Sequence, residues 1–321
     1  MIQSLQNYQD FLLSSYSNLP LGKYVSIVLV RETQGETIFR TEGSGEPLNR
    51  EFVSAGIDHK EPVQRIIISK RKQTAVERRT GREFLRSYGL LNLNGKECML
   101  NTNEPCERCV DCWVYGYAVG GGGAQKSRVM TEEAFSLLSA GQIVDTKTFN
   151  ALFDNSTMRH PETGEPSTSL GSSEYVKPES HFIDIETLKD MTEGEFIYVL
   201  GNLLNSKRYG AISSKIGRID NHIVGIVFSH SEIFSTLELT QKTYDLLKTE
   251  SGELNHPLDT SKVIAKAKEG VAQLLPSVIG RKSQMKGEDL NKLITETSKI
   301  YEDPKQFLIT LTKSYPGSEE K

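Results

Sequence analysis

"YVSIVLVRETQGETIFRT", Tyr24–Thr41, begins with the longest apolar run in the chain, Tyr24 to Val30, broken only by Ser26. Its β-branched side chains fit a pleated, buried surface, and seven residues fall far short of a membrane span. Gln34-Gly35 predicts a turn, so the stretch reads as a β-hairpin. Working outward, "PVQRIIISKRK" (Pro62–Lys72) reads as a strand running into a basic stretch. "GREFLRSYGLL" reads as a short helix opened by Gly81, and "KSRVMTEEAFSLLSAG" as a short strand followed by a helix. "HFIDIETL" and "HIVGIVFS" are strands, and "TEGEFIYVLGNLLNS" is a helix with apolar residues at helical spacing. Beyond about residue 235 four helices follow: "TLELTQKTYDLLKT", "SKVIAKAKEGVAQLL", "GEDLNKLITETSKIYE" and "DPKQFLITLTK". The irregular alternation, without repeat or long linker, predicts an α+β sheet domain decorated with insertions and followed by a helical C-terminal part.

The composition, 37% hydrophobic and 25% charged over 321 residues, is that of a soluble globular protein. "MIQSLQNYQDFLLSSYSNLP" lacks the basic start and apolar core of a signal peptide, which predicts a cytoplasmic location, no membrane association and reduced cysteines. The glycine run Gly120–Gly123 lacks the Gly-Lys-Ser/Thr of a phosphate loop, and there is no Gly-x-Ser-x-Gly elbow. Carboxylates are scattered, so no acid/base pair stands out.

All four cysteines fall in "ECMLNTNEPCERCVDC", as Cys98-x7-Cys106-x2-Cys109-x2-Cys112. Two residues between thiols let a tight turn bring both sulfurs onto one ion, and tetrahedral zinc takes four such ligands. A closed four-thiolate site leaves no position for water, so the zinc would be structural. Spacing alone leaves an iron–sulfur cluster open. A zinc-dependent nucleobase deaminase or related hydrolase is the alternative: His59-Lys60-Glu61 and then Pro105-Cys106-Glu107-Arg108-Cys109 follow its signature order. His-x-Glu recurs at His160 and His230, however, and Cys98 and Cys112 add two thiolates that a deaminase does not require.

Net charge is −4, yet Lys60 to Leu90 holds nine Lys or Arg against three Glu, and "NSKRYGAISSKIGR" (Asn205–Arg218) holds four basic residues and no acid. Mixed with Ser, Gly and Tyr, these stretches suit a phosphate chain. The candidate contacts are Lys70, Arg71, Lys72, Arg78, Arg79, Arg82, Lys126, Arg128, Lys207, Arg208, Lys215 and Arg218. Residues 150 to 180, rich in Ser, Thr, Gly, Pro and Glu, read as a projecting loop or hairpin. Phe149, Leu152, Phe153 and Met158 are expected to cluster at its base, with Tyr175 and Val176 at its far end.

Taken in order, "SIVLVRETQGETIFR", "SKRKQTAVERRTGREFLRSYG", the four-cysteine insertion, "VYGYAVGGGGAQKSRVMTEEAF", the long polar insertion and "LLNSKRYGAISSKIGRI" resemble the repeated backbone subunit of type I-D CRISPR surveillance (Cascade) complexes, in the RNA-recognition-motif-like repeat-associated superfamily. The resemblance spans roughly residues 20 to 240. It implies a modified RNA-recognition-motif (ferredoxin-like) core over 1–240, with a zinc loop at about 95–125 and a thumb at about 150–180. Residues 241–321 would form a helical region packed on the same domain. It further implies head-to-tail polymerisation along a guide RNA, which pairs with target DNA or RNA, and contacts with other complex subunits. Met158 would wedge between bases, with Arg159 and His160 beside the backbone. Related type III subunits cut RNA with an aspartate after the first strand; here that stretch holds Glu32, Glu36 and Glu42 but no Asp, so the expectation is a non-catalytic scaffold.

Overall fold

The computed structural model describes residues 2–40, 47–93, 96–100, 102, 104–120, 123–210 and 217–316. A 3-10 helix (Gln3–Phe11) precedes β1 (Tyr24–Thr33), β2 (Arg50–Ser54), β3 (Pro62–Ile68) and α1 (Lys70–Ser87). The cysteine region carries β4 (Asn92–Leu93), β5 (Lys96–Glu97), α2 (Val110–Tyr115), β6 (Tyr117–Val119) and β7 (Gly123–Gln125). Next come β8 (Val129–Thr131), β9 (Ala134–Ser136), α3 (Ala140–Ile143) and a hairpin of β10 (Val144–Asn150) and β11 (Leu170–Val176). The chain continues through β12 (His181–Lys189), α4 (Glu193–Asn205), β13 (Arg208–Tyr209) and β14 (Gly217–Ser229). It ends with α5 (Thr236–Ser251), α6 (Thr260–Leu274), β15 (Lys282–Met285), α7 (Gly287–Glu302) and α8 (Lys305–Lys313).

The main sheet runs β13-β14-β1-β12-β9-β3-β2, with β15 on β14 and β8 on β12. Its pairings are antiparallel. Following the chain through β1-α1-β9-β12-α4-β14 gives four strands in the spatial order 4-1-3-2, with α1 and α4 as the two crossover helices. That is the ferredoxin-like arrangement of an RNA-recognition motif, carrying insertions and a helical C-terminal part.

β1 lies at the centre because both of its faces are apolar. Val25, Ile27 and Leu29 pack with Leu5, Phe196, Leu200, Leu293 and Leu308 beneath the 3-10 helix, α4, α7 and α8. Val28 and Val30 pack on the opposite face with Leu239, Leu247, Val263 and Val271 of α5 and α6. Full burial of each such side chain is worth about 1.5–3 kcal/mol. A capping box, Thr192 with Glu195, starts α4. Gly201 of α4 lets Tyr301 approach so closely that a Cβ would lie 2.0 Å from its ring.

Three local expectations are corrected. The Tyr24–Thr41 hairpin does not form: β1 pairs with β12 and β14, and beyond its end Thr37 bridges to Val176. A strand buried on both faces takes its neighbours from distant sequence. The basic stretch is helical from Lys70, well before Gly81. "AFS" (Ala134–Ser136) supplies β9, whose Phe135 lies between Ile67 of β3 and Ile183 of β12, and not a helix.

Candidate metal centre and nucleic-acid interface

The four cysteine sulfurs all lie within 4.8 Å of one another. Cys98 and Cys112 are 3.6 Å apart, Cys98 and Cys109 3.8 Å, and Cys106 and Cys112 4.0 Å. A tetrahedron with metal–sulfur bonds of about 2.3 Å has sulfur–sulfur edges of about 3.8 Å. These separations exceed a disulfide bond and fit four ligands on one ion. Backbone amides point at the sulfurs: Cys106 N–H donates to Cys98 Sγ at 3.3 Å, and Cys109 N–H to Cys106 Sγ at 3.2 Å. Cys98, Cys109 and Cys112 are buried and Cys106 is half-buried. The thiols of Cys106, Cys109 and Cys112 hold Cys98 well below the ordinary thiol range. The same crowding pushes Cys112 up, chiefly through Cys106. A divalent ion would take all four as thiolates, and its charge would make them compatible.

α1 clasps this loop through the buried carboxylate of Asp111. Arg78 grips it as a fork, Nε to Oδ1 at 2.9 Å and Nη2 to Oδ2 at 2.8 Å, and also donates to the Gly116 carbonyl. Arg82 donates to Asp111 Oδ2 at 2.7 Å, to Cys98 Sγ at 3.6 Å and to the Cys98 carbonyl. Such outer partners orient metal ligands. Asp111 was missed in the sequence; its signal was an acid inside a cysteine spacer, opposite a run of arginines.

Between α1 and the loop lies a groove of about 900 Å³, lined by Lys70, Arg71, Arg78, Arg79, Arg82, Arg86 and Lys126, with Glu97 as the one carboxylate among the described lining residues. Thr74, Met130 and Thr131 also line it and, like Arg86, were not anticipated. Lys70, Arg71, Arg79, Arg86 and Lys126 are exposed. α1 opens with Lys70, Arg71 and Lys72 and no acid in its first turn, where the helix dipole favours anions.

One expected contact turns inward. Arg128 is buried, its guanidinium held by Glu195 and the Asp190 carbonyl, so it braces α4. Arg82, only 7% exposed, lines the groove while its guanidinium binds the loop. Lys72 is half-buried and lies outside the groove lining. Lys207 and Arg218 are exposed and flank Asp220 at 3.8 and 3.9 Å. Arg208 and Arg218 line a second cavity of about 440 Å³ with Lys147, Glu36 and Tyr175 at the hairpin root. Lys215 and Glu42 lie outside the described residues, as does the side chain of Phe149.

Residues 144–176 do form a hairpin, with Val144 opposite Val176 and Asn150 opposite Leu170. Val176 is buried at its root and Tyr175 packs beside it. Leu152 is exposed, and Phe153 meets His160 edge-on at 5.2 Å in the distal part, so neither joins a root cluster. Met158 and His160 are half-buried there, and exposed Arg159 donates to the Gly164 carbonyl.

His59 lies across the sheet from the thiols. Its Nδ1 is 2.7 Å from Asp245 on α5, and Glu61 pairs with Lys248, also on α5. The deaminase constellation is therefore not assembled. Glu32 is 8% exposed and engaged by His222 at 2.8 Å.

A 4-1-3-2 antiparallel sheet, a four-thiol loop and a basic groove between that loop and α1 define an RNA-recognition-motif-like α+β protein with a cysteine-closed insertion. Residues 11–311 match the model of a family described as Csc2 Crispr, and the chain belongs to this Csc2 CRISPR family. It is similar to the crystal structure of Thermofilum pendens Csc2, at 17% identity and a TM-score of 0.64 over 99% of each chain. It also resembles a chain of a CRISPR RNA-guided surveillance complex in a pre-nicking state, 8% identical with a TM-score of 0.50, covering 81% of this chain and 90% of that one. Comparison with curated protein sequences gives no match. Among the described residues, no helix is long and apolar enough to cross a membrane.

Proposed function

We propose that the chain is a non-catalytic backbone subunit of a CRISPR surveillance complex. It binds guide RNA, polymerises along it head to tail, and presents it for pairing with target nucleic acid in the cytoplasm, beside other subunits. The observation that carries this reading is the groove between α1 and the cysteine loop, with seven cationic side chains against one carboxylate. Its lining is rich in guanidinium and hydroxyl groups, and its one aromatic, Tyr115, is buried, which suits phosphate better than bases. A standard RNA-recognition motif stacks bases on its open sheet face. Here α5 and α6 cover that face, which leaves the groove on the helical side as the place for a polyanion. The sulfur–sulfur distances support structural zinc in the loop. The engagement of Glu32 by His222 and the lack of Asp in that stretch support a scaffold role.

The test is the nucleic acid carried by the purified protein. RNA of uniform guide length is expected; random fragments or none would sink the reading. Changing exposed Arg79 or Lys70 to Gln should weaken binding of every RNA sequence alike and lower the salt slope by about 0.7 per lost contact.

A further inference from the structure

The two walls of the groove have different origins. α1 supplies one, and residues of the cysteine loop, among them Cys98, Met99 and Leu100, supply the other. The walls are joined by buried links. Arg82 binds Cys98 and Asp111, and Arg78 forks onto the same carboxylate. Asp111 sits between Cys109 and Cys112, two of the four sulfur ligands. One short segment thus gathers the metal ligands and fixes two cations of the groove. Trp113, the only tryptophan in the chain, follows Cys112 directly and stacks on Tyr315 at 5.7 Å.

We infer that the cysteine loop is a metal-set jaw of the groove: an ion on the four sulfurs fixes the second wall and, through Arg82, the placement of the groove cations, so that releasing the ion weakens polyanion binding. This rests on reading the groove as a nucleic-acid interface, and adds how that interface is regulated.

Charge alone argues for the opposite sign. Four thiolates around a divalent ion carry a net charge of about −2, and any of them that takes up a proton when the ion leaves makes the cluster less negative. Protonation that follows metal loss therefore makes the region more positive. That gain acts as a field, screened over about 8 Å at physiological ionic strength. Opening the loop instead removes a wall and frees two arginine side chains, which each binding event must then order again. Geometry is the larger effect, and the sign of the measured change decides between them.

The experiment uses the full chain and a fluorescently labelled single-stranded oligouridylate. Binding is titrated before and after chelation, with metal release followed by a metallochromic dye and loop opening by Trp113 emission. Chelation should red-shift Trp113 and weaken RNA binding about tenfold, the loss expected when a few long side chains are no longer preorganised. Arg82→Gln keeps every sulfur ligand but cuts the bridge. It should bind RNA more weakly from the start, and chelation should weaken it by less than about twofold further, because the two changes act on one link. Circular dichroism checks its fold; should it fail, Arg82→Lys keeps the charge but cannot reach Asp111 and Cys98 with two separate nitrogens. The inference is overturned if Trp113 responds to chelation while RNA affinity stays the same or rises. Equal losses in the parent and the Arg82 variant would also overturn it, since the metal would then act without the bridge. If the metal-loaded parent binds no RNA at all, the nucleic-acid reading itself has failed, and the jaw falls with it.

Discussion

The cysteine insertion and the β10–β11 hairpin are both polar excursions from the same sheet, yet they meet the core in opposite ways. In the first, Cys98, Cys109, Asp111 and Cys112 are buried, and two arginines of α1 reach in to hold them. In the second, no side chain from residue 151 to 169 is fully buried. Its distal part is held by turns and local bonds such as Ser167 N–H to the Met158 carbonyl. A segment that puts thiols and charges inside must keep every partner, because each buried charge left alone is costly. A segment held by its own backbone is detachable. Damage to the first should therefore travel into the groove, and damage to the second should stay local.

The harshest way to break this comparison is to remove the ligands. Cys106→Ser with Cys109→Ser should release about one metal ion per chain and destabilise the protein by at least about 4 kcal/mol, since metal affinity in such loops is folding free energy. Atomic absorption and denaturant unfolding measure both. Full retention of metal in the double variant would mean that the site is elsewhere.

Asp111→Ala is the next probe. It leaves Arg82, and most of Arg78, without the carboxylate they share in a largely buried setting. A loss of about 3 kcal/mol is expected, with the four thiols untouched. A loss below about 1 kcal/mol, the range of a surface pair, would show that the loop is not locked to α1.

The helix that makes this lock was the least legible part of the sequence, for a physical reason. Its buried positions are Gln73, Glu77, Gly81, Arg82 and Leu85. Gln73 donates to Asp184 at 2.6 Å, and Glu77 accepts from Arg31 at 2.9 Å and Tyr209 at 2.8 Å. Gly81 lies where a Cβ would come within 2.4 Å of the Tyr198 hydroxyl. Hydrophobic periodicity is silent on a helix whose inner face is polar, whereas α4 to α8 carry apolar stripes and were read nearly to the residue. The four ligands were legible because spacing encodes ligation. The groove was half legible: charge runs mark Lys70 to Arg86, but only the fold brings Lys126 opposite them and turns Arg128 inward.

Where the hairpin returns to the sheet, the core does take part, and pH reports on it. His181, the first residue of β12, donates to or accepts from Thr260 at 2.9 Å. Burial lowers its pKa from 6.5 to about 4. A group depressed in the folded state stays neutral there while the unfolded chain takes up a proton. Stability is therefore complete above pH 6.5 and falls as pH drops toward 4, by about 3 kcal/mol at most. His181→Gln should flatten the unfolding free energy across that window. A slope unchanged by the substitution would place the titrating group elsewhere.

The smallest effect on stability, and the sharpest test of detachability, comes from the hairpin tip. The ladder of β11 begins at Leu170, so the excision follows the register. Asn150 and Leu170 face each other at the end of the ladder. Replacing residues 151–169 by Asn-Gly closes them with a two-residue turn suited to the strand twist. Only exposed or half-buried side chains are lost, and the buried root at Val176 is kept. The unfolding free energy should change by less than about 0.5 kcal/mol, as for surface substitutions. Metal content should be unaltered, because the thiols lie in the other insertion. If Met158, Arg159 and His160 form a thumb that spaces successive subunits, the variant should still bind short RNA through the α1 groove. On guide-length RNA it should lose the regular protection seen in nuclease footprinting. A periodic footprint that survives the excision would remove the thumb role from this hairpin, and a loss of stability above about 2 kcal/mol would show that its tip is tied to the core after all.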